Sequence, residues 1–252
     1  MNMTTTNRPT IYRPLLIAAA IVVALGVSLA LSGCARAAQV VRESVSQPLG
    51  AAKSADVTIA MGIGRLRLAE LDQPSTLIAG EIAYPDSNRV DRTFALSGDT
   101  ATFTLHEHDS QRNDLIKYRN DDAIWDLRLA PATPMRLTIE AGIGEGTLDL
   151  AQLKVTDLDL KTGIGRTTLT LPKAGHVQAH IEGGVGNTTI RIPAGVAARI
   201  ALDAGVGKVE VLGNYQRRGN SYISPDYDSA ANRVDLTASS GIGTITIQQI
   251  GE

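Results

Sequence analysis

The stretch LTIEAGIGEGTLDL (residues 137–150) is followed 21 residues later by LDLKTGIGRTTLTL (158–171), then by AHIEGGVGNTTIRI (179–192) and IALDAGVGKVEVLG (200–213). In each copy a β-branched residue stands between two glycines: Gly142-Ile143-Gly144, Gly163-Ile164-Gly165, Gly184-Val185-Gly186 and Gly205-Val206-Gly207. The triplet recurs outside this register at Gly62-Ile63-Gly64 and Gly241-Ile242-Gly243. A fixed period of this length marks a chain that stacks one small unit on the next.

On both sides of the motif apolar and polar residues alternate, the period of a half-buried strand. The phases disagree. Leu137, Ile139, Leu158 and Leu160 lie at odd offsets before the first glycine, whereas Leu148, Leu150, Leu169 and Leu171 lie at even offsets after it. One face serves both flanks only if the chain bulges or turns a corner between them. The second glycine is the expected place, because glycine tolerates positive φ. The middle Ile or Val then keeps the upstream phase and is expected to face the core. Pro172-Lys173-Ala174-Gly175 and Pro193-Ala194-Gly195 read as turns between units. Each unit is strand, glycine bend, strand, turn. The expected fold is all-β, a β-solenoid-like stack with a 21-residue repeat, against a competing antiparallel meander of two strands per repeat. Placing Val at Gly165 or Gly186 is expected to unfold the module.

The expected organisation is an export segment at 1–33, a tether at 34–55 and one domain at 56–252. Within that domain 69–135 is a non-repeating β segment, 136–213 the regular coils, and 214–252 a capping hairpin with the last coil. Strands are expected at 76–83, 93–96, 101–105 and 124–129, and 109–122 reads as an exposed loop.

The N-terminus argues for location. Arg8 and Arg13 precede an uncharged run from Pro14 to Gly33, the pattern of a secretory signal. The run ends in Leu31-Ser32-Gly33-Cys34, which resembles the lipobox of bacterial lipoproteins, in which the cysteine becomes the lipidated first residue. Ala35 after it would suit outer-membrane sorting, by analogy. Twenty apolar residues at about 1.5 Å each would also span a bilayer, so a retained transmembrane anchor is the alternative. Either way the expected place of residues 35–252 is outside the cytoplasm, in a bacterial cell envelope, facing the periplasm or exterior. Cys34 is the only cysteine, which excludes an intrachain disulfide and a cysteine-based zinc cage. Without the first 33 residues there are 22 basic against 26 acidic residues, a balance that attracts no nucleic acid.

Candidate sites are few. Glu140, Lys161, Glu182 and Asp203 form one expected column, and Glu145, Arg166, Asn187 and Lys208 another. They read as solubilising ion pairs, with a calcium- or sugar-binding carboxylate row as the sharper reading. His106 and His108 share a strand face close to Asp109, a metal pair without a third ligand at a recognisable spacing. The GxG motifs lack the third glycine and the following helix of a phosphate cradle. No cofactor is implied. Tyr215, Arg217, Arg218, Tyr222 and Tyr227 cluster where the rhythm breaks, either as a cap on the stack or as a contact patch, since Tyr and Arg anchor interfaces.

The opening Val57-Thr58-Ile59 with Gly62-Ile63-Gly64, the segment Trp125-Asp126-Leu127-Arg128-Leu129, the ladder, and the closing Tyr222-Ile223-Ser224-Pro225-Asp226-Tyr227 with Asn232-Arg233-Val234 together resemble the toast-rack family. That family is related to the C-terminal domain of LiaF-type proteins of the cell-wall-active antibiotic response, and to candidate adhesins with similar glycine repeats. The resemblance spans about residues 56 to 250 and implies a membrane-associated β module without known catalysis. The expected function is a non-catalytic, lipid-anchored envelope module, held to the membrane through Cys34, that binds an envelope protein or glycan or acts in envelope stress. A carbohydrate-active β-helix enzyme using Glu182 or Asp203, and a self-assembling scaffold, are the alternatives.

Overall fold

A computed structural model describes residues 39–108 and 123–251. The export segment, Cys34 and the 109–122 loop lie outside the described residues. Thirteen strands follow one another: β1 (Val40–Pro48), β2 (Ser54–Glu70), β3 (Thr76–Pro85), β4 (Arg89–Ser97), β5 (Thr100–His108), β6 (Ile124–Leu129), β7 (Met135–Asp149), β8 (Val155–Thr170), β9 (His176–Pro193), β10 (Ala197–Leu212), β11 (Gln216–Arg218), β12 (Ser221–Ile223) and β13 (Arg233–Ile250).

The six long strands that carry a GxG triplet pair in parallel, in the order β2-β7-β8-β9-β13-β10. This is the solenoid-like alternative rather than the meander. The geometry of the links requires a sharp bend. Fifteen extended residues of β7 would reach about 50 Å, yet Val155 at the start of β8 lies beside Met135 at the start of β7. The intervening 150–154 segment spans at most about 18 Å. Each strand must therefore fold back on itself, so that its two halves face one another and a short turn closes the coil.

The facing halves enclose the core, and the columns read from the sequence line it. Upstream, Ile59, Ile139, Leu160, Ile181 and Ala238 stack in register and are buried. Downstream, Leu68, Leu148, Leu169, Ile190 and Ile247 do the same. At about 25 cal/mol per Å² of apolar surface removed from water, these columns are the main source of stability.

Beyond β2 the two halves part. The upstream half pairs with β5 and then β4, and the downstream half with β6, β3 and β1. Phe103, Trp125, Leu127 and Ile82 fill the space between them and are fully buried. Arg92 on β4 donates to the Ser44 carbonyl of β1 at 3.4 Å, joining the outer strands.

Three expectations are corrected. The 34–55 stretch is not wholly a tether, because Val40–Pro48 pairs along the length of β3 and Val45 is buried. The unit at 233–250 is not the last coil: β13 lies between β9 and β10, so β10 is the edge of the stack. The hairpin of β11 and β12 does extend that edge, but only beside Arg199–Ala201. Among the described residues the outer side of β10 from Asp203 to Leu212 is unpaired.

Candidate functional site

The corner of each coil is built by its two glycines. The second has positive φ in five coils, 140° to 147° at Gly64, Gly144, Gly165, Gly186 and Gly243. The close approach of neighbouring coils is the stronger constraint. A β-carbon on Gly144, Gly165 or Gly186 would lie 1.8 Å from the carbonyl oxygen of the second glycine in the preceding coil. The first glycine is locked in the same way, with Gly142, Gly163 and Gly184 facing carbonyl oxygens at 2.2 to 2.3 Å. Strand pairing skips that first glycine in every coil, and there the phase turns over.

The middle residue consequently points outward, contrary to expectation. Ile143, Ile164, Val185, Ile242 and Val206 are 37%, 53%, 45%, 54% and 70% exposed. Converging backbone fills the inside of the corner, so the Ile or Val joins the outward set with Glu145 or Arg166. The result is a column of stacked β-branched side chains along one edge of the molecule.

The charged columns also differ from the sequence order, since β13 inserts Ser239 between Glu182 and Asp203. Those two carboxylates are therefore not neighbours, as a shared cation or an acid/base pair would require. Glu182 instead takes a hydrogen bond from His180 at 2.9 Å, which with Lys161 nearby holds its carboxyl below the usual range. Arg65 and Glu145 approach to 3.5 Å across neighbouring coils.

The predicted Tyr/Arg cluster separates into two groups. Arg217 and Arg218 are exposed on β11, and Arg217 lies 5.9 Å from the ring of half-buried Tyr222. Tyr215 turns against the core, where burial pushes its phenol up to about 12. Tyr227 is buried; its hydroxyl donates to Asp235 Oδ1 at 2.5 Å, and Arg199 stacks over its ring at 4.2 Å. Burial, then the Asp235 carboxylate, push the Tyr227 phenol up to about 12. Asp235 also meets His176 Nε2 at 2.7 Å. Burial alone would raise the Asp235 carboxyl, but the hydrogen bonds from Tyr227 and His176, with Arg199 close by, outweigh it and hold the group below the usual carboxylate range. This cluster ties β9, β13, β10 and the 224–232 loop together. The sequence carries no spacing signal for it, because its members come from four segments.

At the other end of the stack the sequence reading missed Glu107, a carboxylate only 7% exposed. It accepts from the Gly62 amide at 2.9 Å and from Asn88 Nδ2 at 2.7 Å. Glu107 thus occupies the place a preceding coil would take at the first corner. Its neighbours His106 and His108 do share a face, their ring centroids 4.2 Å apart, and His108 Nε2 lies 3.1 Å from Asp91. Among the described residues no group of three His, Cys, Asp or Glu side chains is arranged to hold a metal. Asp109 lies outside the described residues.

A parallel stack of bent strands, closed by glycine corners and lined outside by ion pairs, defines the class of the fold as an all-β scaffold. Residues 36–191, more than half of the chain, match the family described as "N-terminal domain of toast_rack, DUF2154", and the chain belongs to that family. Residues 142–247 match the family described as "Cell wall-active antibiotics response LiaF, C-terminal". The first match begins before β1, in keeping with the place of that strand in the domain. None of the curated proteins matches the chain. Among solved structures, a candidate cell adhesion protein from Clostridium sporogenes ATCC 15579 is similar over 84% of this chain and 100% of its own, at 20% identity and a TM-score of 0.75. A candidate adhesin from Bacteroides fragilis NCTC 9343 is similar over 83% of this chain and 97% of its own, at 15% identity and a TM-score of 0.32.

Proposed function

We propose that this protein is a non-enzymatic module of the bacterial cell envelope, anchored by lipid at Cys34 on the periplasmic or outer side of a membrane, that acts by contact in adhesion-like binding or envelope-stress response. The observation that carries this reading is membership of the toast-rack family combined with the match of the ladder itself, residues 142–247, to the LiaF C-terminal domain. The lipobox-like Leu31-Ser32-Gly33-Cys34 supports the anchor. The exposed Arg217 and Arg218, with Tyr222 beside them, are the part of the predicted patch that a partner protein or glycan can reach.

Two measurements test the reading. Acyl incorporation from a labelled fatty acid is expected in the wild-type chain and absent in Cys34→Ser; equal labelling of both would refute the anchor. Capture from solubilised envelopes with tethered full-length protein is expected to retain an envelope component that an Arg217→Ala/Tyr222→Ala chain releases. Identical recovery by both chains would refute the patch.

A further inference from the structure

We infer that the column of outward Ile and Val side chains at the glycine corners rests on the surface of the membrane to which the chain is attached. Three observations lead there. First, Ile143, Ile164, Val185, Ile242 and Val206 are five of the eight large exposed apolar side chains among the described residues. With Ile63 they stand in one register, Ile63-Ile143-Ile164-Val185-Ile242-Val206. Six strands at about 4.8 Å spacing make a ridge about 24 Å long. Surface apolar residues scattered singly need no partner, whereas a contiguous row marks a contact.

Second, the chain enters the domain at that same edge. Glu43 lies opposite Ile82, Ile82 opposite Trp125, and Trp125 opposite Leu66. Counting back along this cross-strand row sets Val40 level with Ile63, at the corner of the first coil. The opposite edge, where the turns close the coils, is a full half-strand away. Cys34 lies six positions before Val40, a reach of at most about 21 Å. Attachment at Cys34 therefore brings the corner edge to the bilayer before any other part of the stack.

Third, the flanks suit a lipid headgroup region. Charged residues border the ridge on both sides, Glu140, Lys161, Glu182 and Asp203 before the corners and Arg65, Glu145, Arg166 and Lys208 after them, an acidic excess on one side that a basic excess on the other cancels. Such a border provides hydrogen bonding without a net field, so the contact is apolar rather than an attraction to anionic lipid. The inference rests on membrane attachment near residue 34, which a lipidated Cys34 and a retained transmembrane segment supply equally.

The test uses the full chain in vesicles of phosphatidylcholine with phosphatidylethanolamine. Ile164→Cys, Ile242→Cys and, on the turn edge, Lys173→Cys are each labelled with an environment-sensitive fluorophore, the unsubstituted chain giving any background from Cys34. Labels at 164 and 242 are expected to be quenched at least twofold more by lipids brominated near the headgroup than the label at 173, and less by aqueous iodide. Ile164→Asp/Val185→Asp, which alters only exposed positions, is expected to abolish the difference at 242. Equal iodide quenching at all three positions would overturn the inference. So would protection at 164 that depends on protein density and not on brominated lipid, which would assign the ridge to a second copy of the chain. Lost acyl labelling at Cys34 with the quenching pattern retained would refute lipidation while leaving the ridge contact in place.

Discussion

Replacing Gly165 by alanine adds one methyl group, and the structure sets its cost. The new β-carbon would sit 1.8 Å from the Gly144 carbonyl oxygen, at a φ of +147°. β-Carbons essentially never approach closer than 3.0 Å, so coils β7 and β8 must separate locally by the 1.2 Å difference. That is a quarter of the roughly 4.8 Å spacing between strands. A ladder hydrogen bond stretched from about 2.9 Å to about 4 Å is lost. Three or four such bonds at about 0.5–1.5 kcal/mol each give about 2–6 kcal/mol, and the strained backbone adds about 1–3 kcal/mol. The sum approaches the whole stability of a typical domain, about 5–15 kcal/mol. Urea unfolding followed by fluorescence of Trp125, the single tryptophan and fully buried, measures it directly. Gly98→Ala is the control: φ there is also positive, +59°, but the β-carbon would meet nothing within 4 Å. It should cost only about 1–2 kcal/mol. A Gly165→Ala protein within 1 kcal/mol of Gly98→Ala, taken as about equal within error, would refute the steric argument and leave only backbone conformation as the reason for the ladder.

Four sites extend the same reasoning. Ile164→Ser should change stability by less than about 0.5 kcal/mol, because the side chain is outward, whereas Leu160→Ala in the adjacent inward column should cost about 2–5 kcal/mol; urea midpoints of the two chains decide it. Glu107→Ala strips the acceptor from the Gly62 amide and Asn88 and should cost about 2–3 kcal/mol, with Glu107→Gln recovering most of it, as thermal unfolding would show. For Asp235 the folded-state value is depressed, so its stabilisation is present above the unfolded value of about 3.9 and is lost as pH falls below it. The stability difference between wild type and Asp235→Asn, about 1–2 kcal/mol at pH 6, should begin to shrink as pH falls through about 3.9 and go on shrinking as pH falls further, and a constant difference from pH 6 into that range would contradict the assignment.

The period and the core columns were legible because each unit repeats its own local pattern: Leu158, Leu160, Leu169 and Leu171 announce their faces without reference to the rest of the chain, whereas the choice of parallel stack over meander came from the strand pairing. The direction of Ile164 was not, since alternation continues through a bend only if the interior has room, and at this corner the neighbouring backbone takes that room. The position of β13 was hidden for a different reason. Its triplet follows the same pattern as the others, so nothing local distinguishes an interior layer from a terminal one. Its placement rests on tertiary groups such as Asp235, which bonds to His176 on β9 and faces Arg199 on β10. The strand at Val40–Pro48 was missed because its small polar composition resembles a linker and only its pairing with β3 reveals it. Of the proposed contact patch, the residue types were readable and their orientations were not: Tyr215 and Tyr227 serve packing, and Arg217, Arg218 and Tyr222 remain at the surface.

The wedged position of β13 has a consequence for how the protein comes into being. A tandem array can grow one repeat at a time, each newly made unit docking on the last. Here β10 has no long partner until β13 has arrived, and β13 must find β9 across a gap of 57 residues, from Val177 to Val234, rather than the 21 that separate β7 from β8 and β8 from β9. Such distant pairings close slowly. Assembly of the stack therefore waits for residues 233–250, and a chain cut short after residue 232 would lack an internal course of the wall. Closure of the stack is tied to the arrival of β13.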